Sequence, residues 1–259
     1  MQTTLQRIKQ MVKKSGFLVG LVRAARAGRV DLIQLRCLVS RQKLIAAYLR
    51  AHSVRKLQLG TSQTPLPGWL NSDLVPEKSG IVYLDATRPF PFADNTFDYV
   101  SSEHMIEHVD YPGALSMLQE SFRILKPGGK IRVATPDLRI LVSLFSAEKT
   151  AAQTQYIEWV AKKWVPIGLG VEVNENKEVF IMNNAFRAWG HQFLYDLETL
   201  KAAMSRCGFE DLKYYQPGVS DDPNLRGIES HGAVIGNEAI NAFEAFNVEG
   251  RVPDAKPKL

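Results

Sequence analysis

The chain has 259 residues, of which 45% are hydrophobic and 23% charged, which excludes a disordered or collagen-like protein. Its apolar stretches fall far short of the ~20 residues that a membrane-spanning helix needs. Two cysteines, Cys37 and Cys207, cannot form a zinc site by themselves and do not suggest a disulfide framework. We therefore expect a cytoplasmic protein with a substantial core.

Residues 1–54 form a basic extension. The first 56 residues hold 13 Lys or Arg and one acid, Asp31, although the net charge of the whole chain is only +5. Apolar residues recur at helical spacing between Leu5 and Leu49, which predicts amphipathic helices. Two interpretations stay open. The extension either docks on anionic lipid at the inner membrane face or packs on the domain with its charges in water. Nucleic acid is not expected as a partner, because aromatic residues are not interleaved with the basic ones.

Residues 55–259 alternate short β-rich runs with helical ones, which predicts a doubly wound α/β domain built on a mostly parallel seven-stranded sheet. Strands are predicted at 55–60, 69–73, 81–85, 97–101, 130–135, 209–215 and 242–250. A helix precedes the fifth strand, and Lys126-Pro127-Gly128-Gly129 is expected to end that helix and turn the chain.

The alternation of strands and helices is interrupted after a second helical stretch at 137–145. Residues 150–195 contain Trp159, Trp164 and Trp189, and we interpret them as a lid insertion that covers the edge of the sheet. Asp196 precedes the apolar run of the next helix, where an aspartate is a preferred N-cap.

Ligands of open parallel sheets bind beyond the carboxyl ends of the strands. The first strand ends at Gly60, where a ligand can approach the backbone. The second and third strands end at Asp73 and Asp85, and such carboxylates can accept the hydroxyls of a ribose. Asp85 and Ala86 can meet the edge of an adenine ring. The dinucleotide fingerprint G-x-G-x-x-G and the phosphate loop are both missing. The pattern therefore indicates a nucleoside ligand without a phosphate chain.

Three blocks then resemble a known family. LQLGTSQTPLPGWLNSDL, LDATRPFPFADNTFDYVSSEHMIEHV and LQESFRILKPGGKIRVATPDL, within residues 55–140, are similar to class I S-adenosylmethionine-dependent methyltransferases of the type 11 group. FRAWGHQFLYD, GFEDL and DDPNLRGIESHG resemble a bacterial subgroup whose members often accompany genes for surface-polysaccharide synthesis. The resemblance implies a Rossmann-like methyltransferase fold with an antiparallel last strand, and S-adenosylmethionine as cofactor.

The resemblance also implies roles for individual residues. Gly60 and Thr61 would line the methionine end of the cofactor, and Asp73 its ribose. Asp85 with Ala86 would hold the adenine. Ser102 and Glu103, just past the fourth strand, would face the sulfonium and the acceptor.

Histidines supply the candidate acid–base groups. His104-Met105-Ile106-Glu107-His108 matches the inverted zinc-protease signature H-x-x-E-H, but it follows a buried strand within the methyltransferase pattern, so we expect no metal site. Glu103 and His104 are instead candidates for removing the acceptor proton. Packing or capping by His104 and His108 is the alternative.

His191 lies beside aromatic residues that could stack on a sugar or ring, and His231 with Glu229 lies in a polar loop. We place both histidines near the acceptor, with a core role as the alternative.

The sequence thus predicts methyl transfer from S-adenosylmethionine to a small-molecule or glycan acceptor, through a hydroxyl. The catalytic candidates are Glu103, His104 and His191. A methyltransferase of this type usually has a second glycine after Gly60, whereas Thr61, Ser62 and Gln63 follow here. That departure favours the alternative of a non-catalytic cofactor-binding or scaffold protein. A zinc hydrolase is a third alternative.

Overall fold

The computed structural model describes residues 16–255, so the first part of the basic extension and the last four residues lie outside the described residues. A seven-stranded sheet with the order β3-β2-β1-β4-β5-β7-β6 forms its centre. Strands β1 to β5 pair in parallel, and β7 runs antiparallel to β5 and β6. The predicted doubly wound, mostly parallel sheet is confirmed. The strands are β1 (Lys56–Leu59), β2 (Leu70–Asp73), β3 (Val82–Tyr83), β4 (Phe97–Glu103), β5 (Leu125–Pro136), β6 (Glu210–Tyr215) and β7 (Ala245–Arg251).

Helices flank the sheet and cover one end of it. They are α1 (Gly16–Ala51), α2 (Tyr111–Ile124), α3 (Leu138–Ser143), α4 (Ala151–Leu169), α5 (Lys177–Arg187), α6 (Leu197–Arg206), α7 (His231–Ile235) and α8 (Glu238–Glu244). Within the described residues, no helix is both long enough and apolar enough to cross a membrane.

Strand β5 is longer than predicted. The segment 126–129 was expected to be a turn, but it belongs to the strand as an irregularity, because the register against β4 shifts between Phe97 and Tyr99. Gly128 has a φ of +75°. A Cβ at Gly129 would lie 3.1 Å from the backbone oxygen of Asp98. Glycines let this segment stay against β4 while it changes direction.

Strand β7 begins at Ala245, because residues 242–244 complete α8. Strand β3 retains only two of its five predicted residues.

The basic extension enters the domain core through one continuous helix rather than several. Ile45 and Tyr48 of α1 are buried in the same cluster as Leu57 and Leu70, whereas Leu38 and Val39 are exposed. Helix α1 packs where a crossover helix is missing, because residues 60–69 join β1 to β2 without one. A parallel connection usually needs a dozen or more residues.

The segment predicted as a lid insertion packs in a second apolar cluster, to which α3, α7 and α8 also contribute. Helices α4 and α5 pack together over α3, and the cluster includes Tyr156, Val160, Ile181 and Leu194. Pro136, at the end of β5, leads directly into this region through α3. The lid therefore stands over the carboxyl ends of the central strands.

Candidate functional site

A cavity of about 450 Å³ lies between the sheet and the lid, within the usual size range of ligand sites. Its floor is formed where β1, β4 and β5 end, at Gly60, Glu103 and Pro136. Apolar and aromatic side chains of the lid form the roof. They are Leu141, Tyr156, Trp159, Val160, Trp164, Ile181, Trp189 and Leu194. The position agrees with the rule that open sheets bind ligands beyond the carboxyl ends of their strands.

The polar part of the cavity is dominated by imidazoles and carboxylates. Four of the five histidines of the chain line it, and three glutamates lie among them. They are Glu103, His104, Glu107, His108, His191, His231 and Glu244. The sequence placed His191 and His231 near the acceptor, and both do line this cavity.

The two histidines of the H-x-x-E-H segment point to different partners. His104 has a φ of +45°, and only a single 3₁₀ turn follows, at Ile106–His108. The ring of His104 stacks on His231 at 3.8 Å between centroids, whereas His108 packs edge-on against His191 at 4.9 Å. The zinc-protease arrangement, which requires both histidines one turn apart on one helix face, is wrong for this segment.

Glu107 and His104 form a buried pair. The His104 Nδ1 lies 3.3 Å from Glu107 Oε1, and the Thr135 hydroxyl donates to Glu107 Oε2 at 3.1 Å. Burial alone would raise the pKa of Glu107, but His104 outweighs that effect and lowers it. Burial would likewise lower the pKa of His104, and the carboxylate of Glu107 raises it instead. Each side chain therefore favours the ionised form of the other.

For His231 and Glu244, burial outweighs the charged neighbours and favours the neutral form of each side chain. Burial, together with the charge of His104, lowers the pKa of His231 to about 3, so its ring is neutral at pH 7. Burial raises the pKa of Glu244, whose Oε2 accepts a 2.8 Å hydrogen bond from the Tyr156 hydroxyl. Sequence reasoning missed Tyr156 and Glu244, since Glu244 was assigned to a strand and neither lies in a recognisable motif.

Glu103 is a positioning residue in this structure. Its carboxylate accepts the backbone N–H of Ser230 at 2.8 Å and that of His231 at 2.8 Å, and the Ser230 hydroxyl donates at 3.1 Å. These contacts hold the start of α7 and thereby place His231 in the cavity. The predicted role of Glu103 in removing the acceptor proton stays a prediction.

Gly60 gives the cavity its opening at β1. Its φ is +67°, and a Cβ there would lie 2.5 Å from Met105 Cγ, so only glycine fits without a shift. Ser62, Gln63 and Thr64 continue the lining. Thr61 is fully buried and donates to Gln58. It does not belong to the lining, and neither does the buried Ser102.

The two strand-end acids do not face one crevice, contrary to expectation. Asp73 accepts the backbone N–H groups of Ser62 and Val75, both at 2.8 Å, and it lies outside the cavity lining. Asp85 accepts the backbone N–H of Thr87 at 2.9 Å. It borders a second hollow with Arg41 and Arg88, next to the buried Ala86.

The physical reason is local, because each aspartate bonds to the backbone two residues ahead, as turn aspartates commonly do. The cofactor roles of Asp73, Asp85 and Ala86 stay predictions.

His191 is held in a defined orientation. Its Nδ1 lies 2.6 Å from the carbonyl oxygen of Ala185, so that nitrogen carries the proton and Nε2 keeps a lone pair. Burial lowers the pKa of His191, which favours the neutral ring. The adjacent Gln192 fixes the same segment to the β4 side, because its Nε2 donates to His108 O at 2.6 Å.

Known proteins are similar to this chain over its central residues. Residues 63–214, more than half of the chain, match the family model described as a methyltransferase domain. The demethylmenaquinone methyltransferase of Corynebacterium glutamicum is 27% identical over 128 residues, 48% of this chain and 49% of the relative. The Staphylococcus epidermidis enzyme of the same name is 30% identical over 142 residues, 52% of this chain and 49% of the relative. The chain spans about half the length of these curated relatives.

A solved structure from Thermotoga maritima, described as an S-adenosylmethionine-dependent methyltransferase and possible histamine N-methyltransferase, was also matched. It is 17% identical with a TM-score of 0.42, covering 88% of this chain and 95% of that one. The match to the family model over residues 63–214 carries the assignment: the chain belongs to the methyltransferase domain family, and its cofactor is S-adenosylmethionine.

Proposed function

We propose that this protein transfers the methyl group of S-adenosylmethionine to a hydroxyl of a small-molecule or glycan acceptor bound under the lid. One observation carries the proposal: Gly60, at the end of β1, and the histidine cluster line the same cavity. Donor and acceptor can therefore meet in one enclosed space. Alignment of this kind contributes on the order of 7–11 kcal/mol in well-oriented reactions.

The residues near Gly60 fit the cofactor. Gly60 lines the cavity with a positive φ, and Ser62 and Gln63 extend that edge. Each carboxylate oxygen of Asp73 accepts one backbone N–H. A carboxylate offers about four lone-pair sites, so Asp73 can also accept ribose hydroxyls. Asp85 and Ala86 would hold the adenine only if it reached the second hollow.

Bound S-adenosylmethionine supplies a methyl carbon activated by positive sulfur. In the transfer the carbon–sulfur bond would break, with its electrons leaving on the sulfur of S-adenosylhomocysteine, and a carbon–oxygen bond would form while the hydroxyl proton passes to His191 Nε2. His191 is the side chain we assign to contact that hydroxyl, since its Nδ1 is engaged and Nε2 is left for a ligand. Lid side chains line the cavity on one side, and the His104–Glu107 pair lies at its polar end.

Aromatic side chains of the lid support the proposed acceptor class. Trp159, Trp164 and Trp189 lie in one aromatic group with centroids 6.0 and 5.4 Å apart, and such flat apolar faces suit a sugar or another ring. A quinone is the second candidate. The curated relatives are named as acting on demethylmenaquinone, and the same aromatic group would accommodate its ring. A role in polysaccharide synthesis belongs to the glycan alternative.

The decisive experiment is calorimetry of the full chain with S-adenosylmethionine and with S-adenosylhomocysteine. It is followed by transfer of tritiated methyl to a panel of monosaccharides, phenols and a demethylmenaquinone analogue. We expect both nucleosides to bind and label to appear on a hydroxyl compound. Absence of binding at millimolar nucleoside would overturn the proposal and favour a scaffold. Label on a quinone carbon would overturn the hydroxyl assignment.

We further infer that the basic extension contacts anionic membrane at its inner face. Its charge supports this, because polybasic segments gain about 1 kcal/mol per Lys or Arg near an anionic surface. Among the side chains of α1 that the structure describes, Ile45 and Tyr48 are buried in the domain, whereas Leu38 and Val39 are exposed.

A further inference from the structure

Three side chains from two distant segments of the sequence converge at the polar end of the cavity. Glu107 and His108 come from the turn after β4, and His191 comes from the segment that follows the lid helices. One potential ligand atom from each lies within 4.8 Å of the others, and all three residues line the cavity. Two imidazoles and one carboxylate are a donor set that binds zinc in catalytic sites.

Two of these side chains make the kind of hydrogen bonds to neighbouring groups that metal-binding side chains make in other proteins. The Nδ1–H of His191 donates to the carbonyl of Ala185 at 2.6 Å, which reserves Nε2 for a ligand. The Thr135 hydroxyl donates to Glu107 Oε2 at 3.1 Å. Ligating histidines commonly donate their second N–H to a carbonyl, and ligating carboxylates are hydrogen-bonded in turn.

A second, independent observation concerns the buried carboxylate. Glu107 has no solvent exposure, and among the described residues its Oε1 has no hydrogen-bond partner. The Nδ1 of His104 lies 3.3 Å from it. A buried carboxylate oxygen is costly to leave without a close partner. A metal ion would give this oxygen a closer partner.

We propose that Glu107, His108 and His191 form a binding site for a divalent transition metal of the Zn²⁺ class. Tetrahedral ligands at the usual Zn–N and Zn–O lengths lie about 3.3 Å apart, so the three atoms need to approach one another by at most about 1.5 Å. Rotation of the His108 ring can supply part of that change, while the hydrogen bond to Ala185 keeps the ring of His191 in place. Three protein ligands leave the fourth position open towards the cavity.

This site would deepen the proposed function, on which the following role rests. An acceptor hydroxyl that takes the fourth position would lose its proton more easily, because a bound cation lowers the pKa of a coordinated oxygen. His191 would then act by holding the metal rather than by receiving the proton itself. Binding of the metal does not depend on that role.

The test uses the full-length protein, stripped of metal by a chelator, and titration with Zn²⁺ alone. We expect one Zn²⁺ per chain by calorimetry and by elemental analysis. The variant H191A should lose at least about 100-fold in affinity, since removing a ligand exceeds the 10- to 100-fold effect of losing an outer partner. The matched variant H231A removes an imidazole from the same cavity and should retain the wild-type affinity. A Co²⁺-loaded sample should show visible absorption that H191A lacks.

Failure of the wild type to bind Zn²⁺, or equal affinities in H191A and H231A, would overturn the site. Methyl transfer and S-adenosylhomocysteine binding are measured on the same chelator-treated samples. Transfer that persists without any Zn²⁺ binding would remove the metal site and leave the proposed function intact. Zn²⁺ binding without nucleoside binding would support the site and overturn the proposed function.

Discussion

At the scale of single residues, the cavity that the four histidines line contains two carboxylates with different roles. Glu103 accepts backbone N–H groups at the start of α7, so its oxygens serve structure. Glu107, four residues later, is buried with one oxygen bonded to Thr135 and the other beside His104. Surroundings, and not the residue type, separate an anchor from a candidate ligand.

Replacing Glu103 by Ala tests the anchoring role. The N–H groups of Ser230 and His231 would lose their acceptor, and leaving such donors unsatisfied costs about 1–3 kcal/mol. We expect a lower free energy of unfolding and faster amide exchange at Ser230 and His231. The variant E103Q keeps one carbonyl oxygen and should lose less. Unchanged exchange at both amides in E103A would contradict the anchoring role.

Replacing Asp73 by Ala tests the donor side of the cavity. A hydrogen bond to a charged group contributes about 1.5–3 kcal/mol, so the Kd for S-adenosylhomocysteine should rise roughly 10- to 100-fold. Calorimetry measures the change, with D221A as a control at an exposed carboxylate on another loop. An unchanged Kd in a folded D73A variant would refute the assignment of Asp73 to the ribose.

At the scale of elements, the local sequence predicts the N-cap of helix α6, and an ion pair with a residue distant in the sequence strengthens that cap. Asp196 accepts the backbone N–H of Thr199 at 2.8 Å, as the N-cap prediction required, and Arg139 donates to its other oxygen at 2.9 Å. The hydrogen bonds from Thr199, followed by Arg139, lower the pKa of Asp196 to about 2. The cap also fixes the end of the segment that carries His191.

At pH 7 the free energy of unfolding of the variant D196A should be about 1 kcal/mol lower than that of the wild type, which is the usual cost of losing such a cap. The folded-state pKa lies below the unfolded value of about 3.9. The stabilisation is therefore complete above about pH 4 and is lost as the pH falls towards 2. Urea unfolding of both proteins between pH 7 and pH 3 should show the difference shrinking at the acid end. A constant difference would contradict the ionic part of the cap.

At the scale of the whole molecule, helix α1 links the basic extension to the catalytic domain. Ile45 and Tyr48 are buried in the domain core, and the Tyr48 hydroxyl donates to Lys56 O at 2.9 Å. Gln34 adds a 3.0 Å hydrogen bond to Leu74 O. Deleting residues 1–50 would remove Ile45 and Tyr48 from the core, so membrane contact has to be tested on the full chain.

The test replaces Arg7, Lys9, Lys13 and Lys14 by Gln. Vesicles of phosphatidylserine and phosphatidylcholine should bind the wild type, and the variant should bind more weakly because its charge is lower. Swapping Arg and Lys at the same four positions keeps the charge and serves as the matched control. Equal sedimentation of wild type and Gln variant would show that these charges do not drive membrane contact.

The sequence by itself determined the features that rest on local chemistry. β-rich runs separated by turn residues predicted the seven strands, and a preferred capping residue predicted the start of α6. Glycine at the end of β1 predicted where the backbone opens to the cavity. The tryptophans of residues 150–195 predicted a lid, because large apolar side chains outside the strand rhythm need a surface to cover.

Only the tertiary structure decided which side chains meet. His191 is 83 residues from His108, yet the lid connection brings their rings to 4.9 Å. Asp73 ends β2 as expected, whereas Asp85 lies two residues beyond the end of β3, and both bond to their own following turns. The sequence fixes the order of elements through local backbone preferences. The direction of each site side chain depends on contacts between distant segments, which no local pattern encodes.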